Sequence, residues 1–172
     1  MNTALLIIDV QQSLVDEGIW QANKVINQLN KLSTLAREQS IPVILIRDTR
    51  VLPDGTFHNL LKQENHDIEI IKSFCDSFMQ TNLEEILKNN NITRLIIGGL
   101  QSDFCIDTTC REAAKMGYDV VLVSDAHSTL NHEHLNAEQI VAHHNRILRN
   151  FDSANGKVRV LKSSNIAFSP NY

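Results

Sequence analysis

An acid, an amine and a thiol each stand where a short apolar run ends. Asp9 closes Ala4-Leu5-Leu6-Ile7-Ile8, Lys72 closes Ile68-Glu69-Ile70-Ile71, and Cys105 follows Leu95-Ile96-Ile97-Gly98 after a brief turn. Together these three types can do nucleophilic chemistry. A thiol attacks as its thiolate, and a free cysteine has a pKa of about 8.5. At Cys105 three features work to lower it: the partial positive charge of a helix start, the full charge of Lys72, and Asp9 as a base that takes the thiol proton and later returns it to a leaving amine. Gly98 and Gly99 let the chain turn tightly, and the following helix start offers N–H groups for an oxyanion hole. Taken singly, Asp9 reads as a turn residue, Lys72 as a solvated strand end and Cys105 as packing. Their complementary chemistry, arriving from three chain segments, points to catalysis. Cys110 lies roughly 140° further around the helix and reads as core, and Cys75 has no evident activating partner.

The elements that must position them alternate. Continuous apolar runs suit strands buried on both faces of a parallel sheet. Such runs occur at 4–8, 43–46, 68–72, 95–98, 119–123 and 158–161. Between them, Val25, Ile26, Leu29, Leu32, Leu35 and Ala36 recur at helical spacing over 22–39. Thr81-Asn82-Leu83-Glu84 reads as a capping box, Ser102 or Asp103 as the cap of a helix running to Met116 and ended by Gly117, and Asn136-Ala137-Glu138-Gln139 as a second capping box. The expected fold is therefore α/β: a single domain over 1–172, with a mainly parallel six-stranded sheet and helices on both faces, Rossmann-like in its alternation. Open sheets of this kind bind ligands beyond the carboxyl ends of their strands. Asp9, Lys72 and Cys105 all fall there. The long polar stretch Asp48–Asp67, containing Pro53-Asp54-Gly55, is a loop expected to choose the substrate together with Gln11–Gln21.

Composition removes other classes. Of 172 residues, 42% are hydrophobic, and 16 Lys+Arg against 20 Asp+Glu give a net charge of −4. With no basic excess, no nucleic-acid partner is expected. No run reaches eighteen apolar residues, so no membrane partner is expected. Three cysteines without a CxxC, and an N-terminus without a basic leader, point to a reducing cytoplasm. Neither GxGxxG nor GxxxxGK[ST] is present. His132-Glu133-His134 and His143-His144 lack zinc-site spacing, because adjacent helical residues point about 100° apart. His127, after the fifth strand, can reach the edge that holds Cys105, which leaves a Cys-His pair as an alternative to Lys72. Phe104 beside the thiol, Trp20 after Asp9 and Phe57 in the long loop are candidate pocket walls for a small-molecule substrate.

Leu6-Ile7-Ile8-Asp9-Val10-Gln11, Lys72 with Asp76-Ser77-Phe78 and Thr81-Asn82-Leu83, Gly98 through Cys105-Ile106-Asp107-Thr108-Thr109, and Gly117-Tyr118-Asp119-Val120 with Ser124-Asp125-Ala126 follow one another in order. In this combination the sequence resembles the isochorismatase-like cysteine hydrolase family, which includes nicotinamidases and N-carbamoylsarcosine amidases. The resemblance implies a triad of Asp9 as base, Lys72 as electrostatic partner and Cys105 as nucleophile. It also implies a cis peptide at Leu100–Gln101, an oxyanion hole from the backbone N–H groups of Gln101 and Cys105, a substrate-orienting role for Gln11, and a homo-oligomer. Where nicotinamidases carry a metal-binding Asp-x-His, this chain reads Asp48-Thr49-Arg50. No metal and no organic cofactor are therefore expected. Isochorismatases that act on a vinyl ether lack the cysteine, so Cys105 favours cleavage of an amide or related C–N bond. The alternatives are an isochorismatase-type hydrolase of a non-amide substrate, and a non-catalytic binding or thiol-sensing protein in which Cys105 is oxidised.

Overall fold

Burial on both faces makes the apolar runs strands. In the computed structural model, which describes residues 2–168, β1 (Thr3–Ile8) is buried along its whole length, as is β4 (Arg94–Leu100). The remaining strands are β2 (Val43–Asp48), β3 (Ile68–Lys72), β5 (Asp119–Ser128) and β6 (Lys157–Leu161). They form one six-stranded sheet in the order β3-β2-β1-β4-β5-β6, and every neighbouring pair is parallel.

The helices follow from the handedness of the crossovers. Between β1 and β2 lie the short α1 (Gln12–Asp16) and the longer α2 (Ala22–Glu38). The later crossovers carry α3 (Leu83–Asn89), α4 (Asp107–Lys115) and α5 (Ala137–Leu148). The chain steps one way across the sheet from β1 to β2 and the other way from β3 to β4, β5 and β6. Right-handed connections then put α2 on one face and α3, α4 and α5 on the other. The two core clusters agree. Val25, Ile26, Leu29 and Leu32 pack with Leu5, Ile7 and Ile96, whereas Leu83, Leu87, Cys110, Ala113 and Leu148 pack with Leu6, Ile8 and Ile97. The strand order reverses direction between β1 and β4, so a crevice opens at their carboxyl ends.

Local chemistry differs from expectation at three places. Thr81–Glu84 is not a capping box: α3 starts at Leu83, and its N-cap Asn82 makes no side-chain cap bond, while Thr81 Oγ1 donates to the Ser77 carbonyl at 2.7 Å and accepts from the Leu83 amide at 3.3 Å. Neither Ser102 nor Asp103 caps the next helix. A wide π turn, Ser102–Ile106, comes first. The Ser102 hydroxyl bonds His127 Nδ1 at 2.8 Å, and Asp103 accepts from Thr129 at 2.6 Å. The fifth strand also runs on to Ser128. Its pairing with β4 jumps from Ile97–Leu122 to Gly99–His127, so the residues between Leu122 and His127 bulge out. At α5 the expected box forms, with Asn136 Oδ1 accepting from the Gln139 amide at 2.9 Å and Gln139 Oε1 accepting from the Asn136 amide at 3.1 Å.

Gly99 lies in β4 opposite Ile8 of β1, just before the turn that carries the thiol. Its φ is +123°, and a Cβ there would sit 2.1 Å from the Ile8 carbonyl oxygen. Gly18 also has a positive φ, +103°, but nothing lies within 4 Å of its Cβ position. Gly18→Ala should therefore cost about 1 kcal/mol from backbone strain alone, and Gly99→Ala about 3 kcal/mol or more, because backbone must move as well. Urea denaturation midpoints of the two variants measure the difference.

Candidate active site

Three strands and one turn deliver the reactive groups. Asp9 directly follows β1 and adopts a left-handed φ of +53°, a conformation that aspartate tolerates better than most residues. Its amide still donates to the Ile46 carbonyl at 2.8 Å, which holds it to β2. Lys72 is the last residue of β3 and stands in register with Asp48, the last of β2. Since β2 separates β3 from β1, the lysine's four-carbon stem must cross the end of β2 to reach Asp9. It does so fully buried. Its Nζ donates to Asp9 Oδ2 at 2.7 Å, to Asp48 Oδ2 at 2.9 Å and to Cys105 Sγ at 3.2 Å. An ammonium has three donors, and here all three are used. Cys105 sits inside the π turn and is 7% exposed. The Leu100–Gln101 peptide before that turn is cis.

The two carboxylates around the ammonium differ in kind. Burial raises the Asp9 carboxyl to about 6, against the attraction of Lys72. Its second oxygen, Oδ1, is buried without a hydrogen-bond partner. Burial works to raise Asp48 too, but hydrogen bonds from the Arg50 side chain and backbone overcome it and hold the carboxyl at about 2. Burial also pushes the Cys105 thiol up, and the Asp9 charge adds to that, with Lys72 opposing. The sequence led us to expect a thiol pKa lowered by the helix start and Lys72. In the folded chain burial and the Asp9 charge outweigh Lys72, and the thiol keeps its proton until a base removes it. Burial lowers Lys72, but the Asp9 charge and the hydrogen bonds to Asp9 and Asp48 raise it, so it remains an ammonium.

Beside these groups lies a cavity of about 400 Å³, whose lining includes Asp9, Cys105, Gln101, Phe104, Arg50 and Cys75. Leu14, Glu17, Val51 and Leu52 also line it. Phe104, 45% exposed, and Gln101, expected as a pocket wall and a backbone donor respectively, both line it. Four other candidates lie elsewhere. Gln11 is fully buried, and its amide clamps the long loop: Oε1 accepts from the Asp48 amide at 2.8 Å, while Nε2 donates to the carbonyls of Asp48 at 3.0 Å and Gly55 at 2.7 Å. Phe57 packs on the α2 face of the core. Trp20 is held through its backbone to Thr129 and Ser128. His127 is buried between Ser102 and Asn145, with Nε2 3.0 Å from Asn145 Oδ1, and burial lowers its pKa to about 4. It is a neutral structural contact and does not line the cavity. The β5 bulge, absent from any local pattern, carries it away.

Asp48 and Arg50 are residues that the sequence reading noted only as a departure from a metal motif. One signal was available for Asp48, since it ends an apolar strand as Asp9 does. Arg50 grips it with Nε at 2.9 Å to Oδ1 and Nη2 at 2.6 Å to Oδ2. Among the described residues, Asp9, Asp48 and Cys105 form a cluster whose ligand atoms lie within 4.8 Å of one another. The Lys72 ammonium is the cation bonded to all three. Cys110 is fully buried core.

Two outcomes follow from these electrostatics. Lys72→Met leaves two buried carboxylates without their shared cation, so it should destabilise the fold by about 3–5 kcal/mol. Adding Asp9→Asn should recover part of that loss in the same urea titration. The second outcome concerns pH. Below about 6 both Asp9 and Cys105 hold a proton. Above it they share one, so the sulfur can become nucleophilic. Alkylation of Cys105 by iodoacetamide, followed by peptide mass spectrometry, should rise through about pH 6, well below the 8.5 or so of a free thiol.

Comparison with known proteins places this geometry in context. A family model described as the isochorismatase domain matches residues 3–150. The chain is 36% identical over 134 residues to the uncharacterized isochorismatase family protein YrdC of Bacillus subtilis, with 72% of each chain covered. It is 29% identical over 136 residues to streptothricin hydrolase of Streptomyces noursei, covering 73% of this chain and 49% of that one. An isochorismatase family protein of known crystal structure superimposes with a TM-score of 0.83 at 29% identity, covering 91% of this chain and 97% of the other.

Proposed function

The chain belongs to the isochorismatase family, and on that premise we propose that it is a cysteine hydrolase cleaving an amide or related C–N bond of a small molecule through a thioester on Cys105. The observation that carries this reading is the single buried ammonium that touches an acid and a thiol at the wall of one cavity. A volume of about 400 Å³ suits a small organic molecule. The name of the Streptomyces relative, streptothricin hydrolase, agrees with a small-molecule substrate.

The steps balance without an external reagent other than water. Asp9 takes the proton of Cys105, and Lys72 stabilises the thiolate as it forms. The thiolate attacks the substrate carbonyl. The resulting oxyanion is held by the backbone N–H groups of Gln101 and Cys105, and donors of this kind are worth about 3–4 kcal/mol each. The C–N bond breaks as protonated Asp9 gives its proton to the leaving nitrogen, and the amine departs. Asp9 then deprotonates a water that attacks the thioester. When that intermediate collapses, the acid leaves and the sulfur recovers its proton through Asp9. One difficult hydrolysis is thus divided into two easier displacements. The Asp9 carboxyl near 6 suits both directions of proton transfer at neutral pH.

The test is a panel of small amides, imides and carbamoyl compounds, scored for turnover and for an acyl adduct on Cys105 by mass spectrometry. Cys105→Ala should lower turnover by about 10³-fold or more and abolish the adduct. Full turnover in Cys105→Ala overturns the thioester route. Oxidation of Cys105 without acylation by any compound would favour a thiol sensor instead.

A further inference from the structure

Asp48 holds the same ammonium as Asp9, yet the hydrolytic steps above give it nothing to do. It is 3% exposed, and it is saturated with donors. Oδ1 accepts from the Arg50 amide and Nε, both at 2.9 Å, and Oδ2 accepts from Arg50 Nη2 at 2.6 Å and Lys72 Nζ at 2.9 Å. On Asp9, Oδ2 accepts the Lys72 donor at 2.7 Å and Oδ1 is left without a partner. Two carboxylates on one cation are therefore unequal by construction. One has room for a proton and the other has none.

We propose that Asp48, clamped by Arg50, is a positioning residue that anchors the Lys72 ammonium against Cys105 while Asp9 gains and loses its proton. When the thiol proton moves to Asp9, the Asp9–Lys72 ion pair is lost. A lysine held by Asp9 alone would then be free to follow the thiolate or swing away. With Asp48 fixed as an anion, Nζ keeps one permanent partner throughout, and the negative charge of Asp48 also makes Asp9 a stronger base. Other ionisable groups also face the site. They are Lys72 from β3, Cys105 from the π turn, Arg50 from the loop after β2, Cys75 from the loop after β3, and Glu17 at the end of α1. Arg50 is the exposed member of the pair, with its side chain 53% accessible, so it can be changed with little disturbance to the core. The inference rests on the cysteine-hydrolase reading of this site.

The experiment follows the rate of Cys105 alkylation by iodoacetamide against pH, read by peptide mass spectrometry, in the whole protein and in two variants. Asp48→Asn removes an anion beside Asp9 and should move the midpoint down by about 1 unit, with slower alkylation at the plateau. Arg50→Gln removes a cation and leaves Asp48 less neutralised, so the midpoint should move up. Opposite shifts distinguish this role from a merely structural one, which lowers rates without moving the midpoint. Midpoints that coincide with the unaltered protein's, or that move in the same direction, overturn the proposal. Should Asp48→Asn fail to fold, the direction of the Arg50→Gln shift decides it. Acylation of Cys105 by the amide panel is a separate readout. Its absence overturns the hydrolase reading, whereas acylation with unmoved midpoints overturns only the role of Asp48.

Discussion

A single ammonium group with every donor committed is the constraint around which this site is arranged. Bringing Lys72 out of water is costly unless its charge is matched and its hydrogen bonds are met. Asp9, Asp48 and Cys105 meet them, and Arg50 completes the charge balance around Asp48. None of the four side chains around Lys72 comes from its own strand. The cost of burying the lysine is therefore offset only when β1, β2, β3 and the π turn are all in place. Site assembly and sheet assembly are one event, and the reactive sulfur acquires its neighbours only in the folded chain.

The sheet explains why these partners can meet. With the order β3-β2-β1-β4, the acid and the thiol flank the point where the chain reverses its direction of travel, and the amine arrives from the edge. A lysine is the one cationic side chain long enough to cross the intervening strand while ending in a compact point charge. Gly99 lets β4 pass against Ile8 closely enough to bring the π turn alongside Asp9.

Much of this was legible in the residues, and the parts that were not share a cause. The strand Ile68–Lys72 and the helix start at Asn136 are local patterns, and both formed as read. The pairing of Asp9, Lys72 and Cys105 followed from one general rule about strand ends. Asp48 obeyed the same rule but was read as the start of a loop, because its meaning depends on which strand lies between β1 and β3. His127 and Ser102 were misread for a similar reason. Ser102 looked like a helix cap and His127 like a group able to reach Cys105, and a bulge in β5 together with a widened turn made them partners of each other. The family resemblance implied a substrate-orienting role for Gln11. Its side chain instead turns away from the cavity and binds backbone.

That last feature bears on how such a scaffold can diversify. The Gln11 amide reads only main-chain atoms, the N–H and carbonyl of Asp48 and the carbonyl of Gly55. Every amino acid but proline carries those atoms, so the clamp does not read the side chains at 51 and 52, although a Cβ at Gly55 would sit 2.9 Å from the Val51 carbonyl oxygen and 3.4 Å from Gln11 Nε2. Val51 and Leu52, which form part of the cavity wall, lie within the clasped segment. Drift at those two positions can reshape the chamber without loosening the clasp, which leaves substrate preference free to evolve while the reactive machinery stays put.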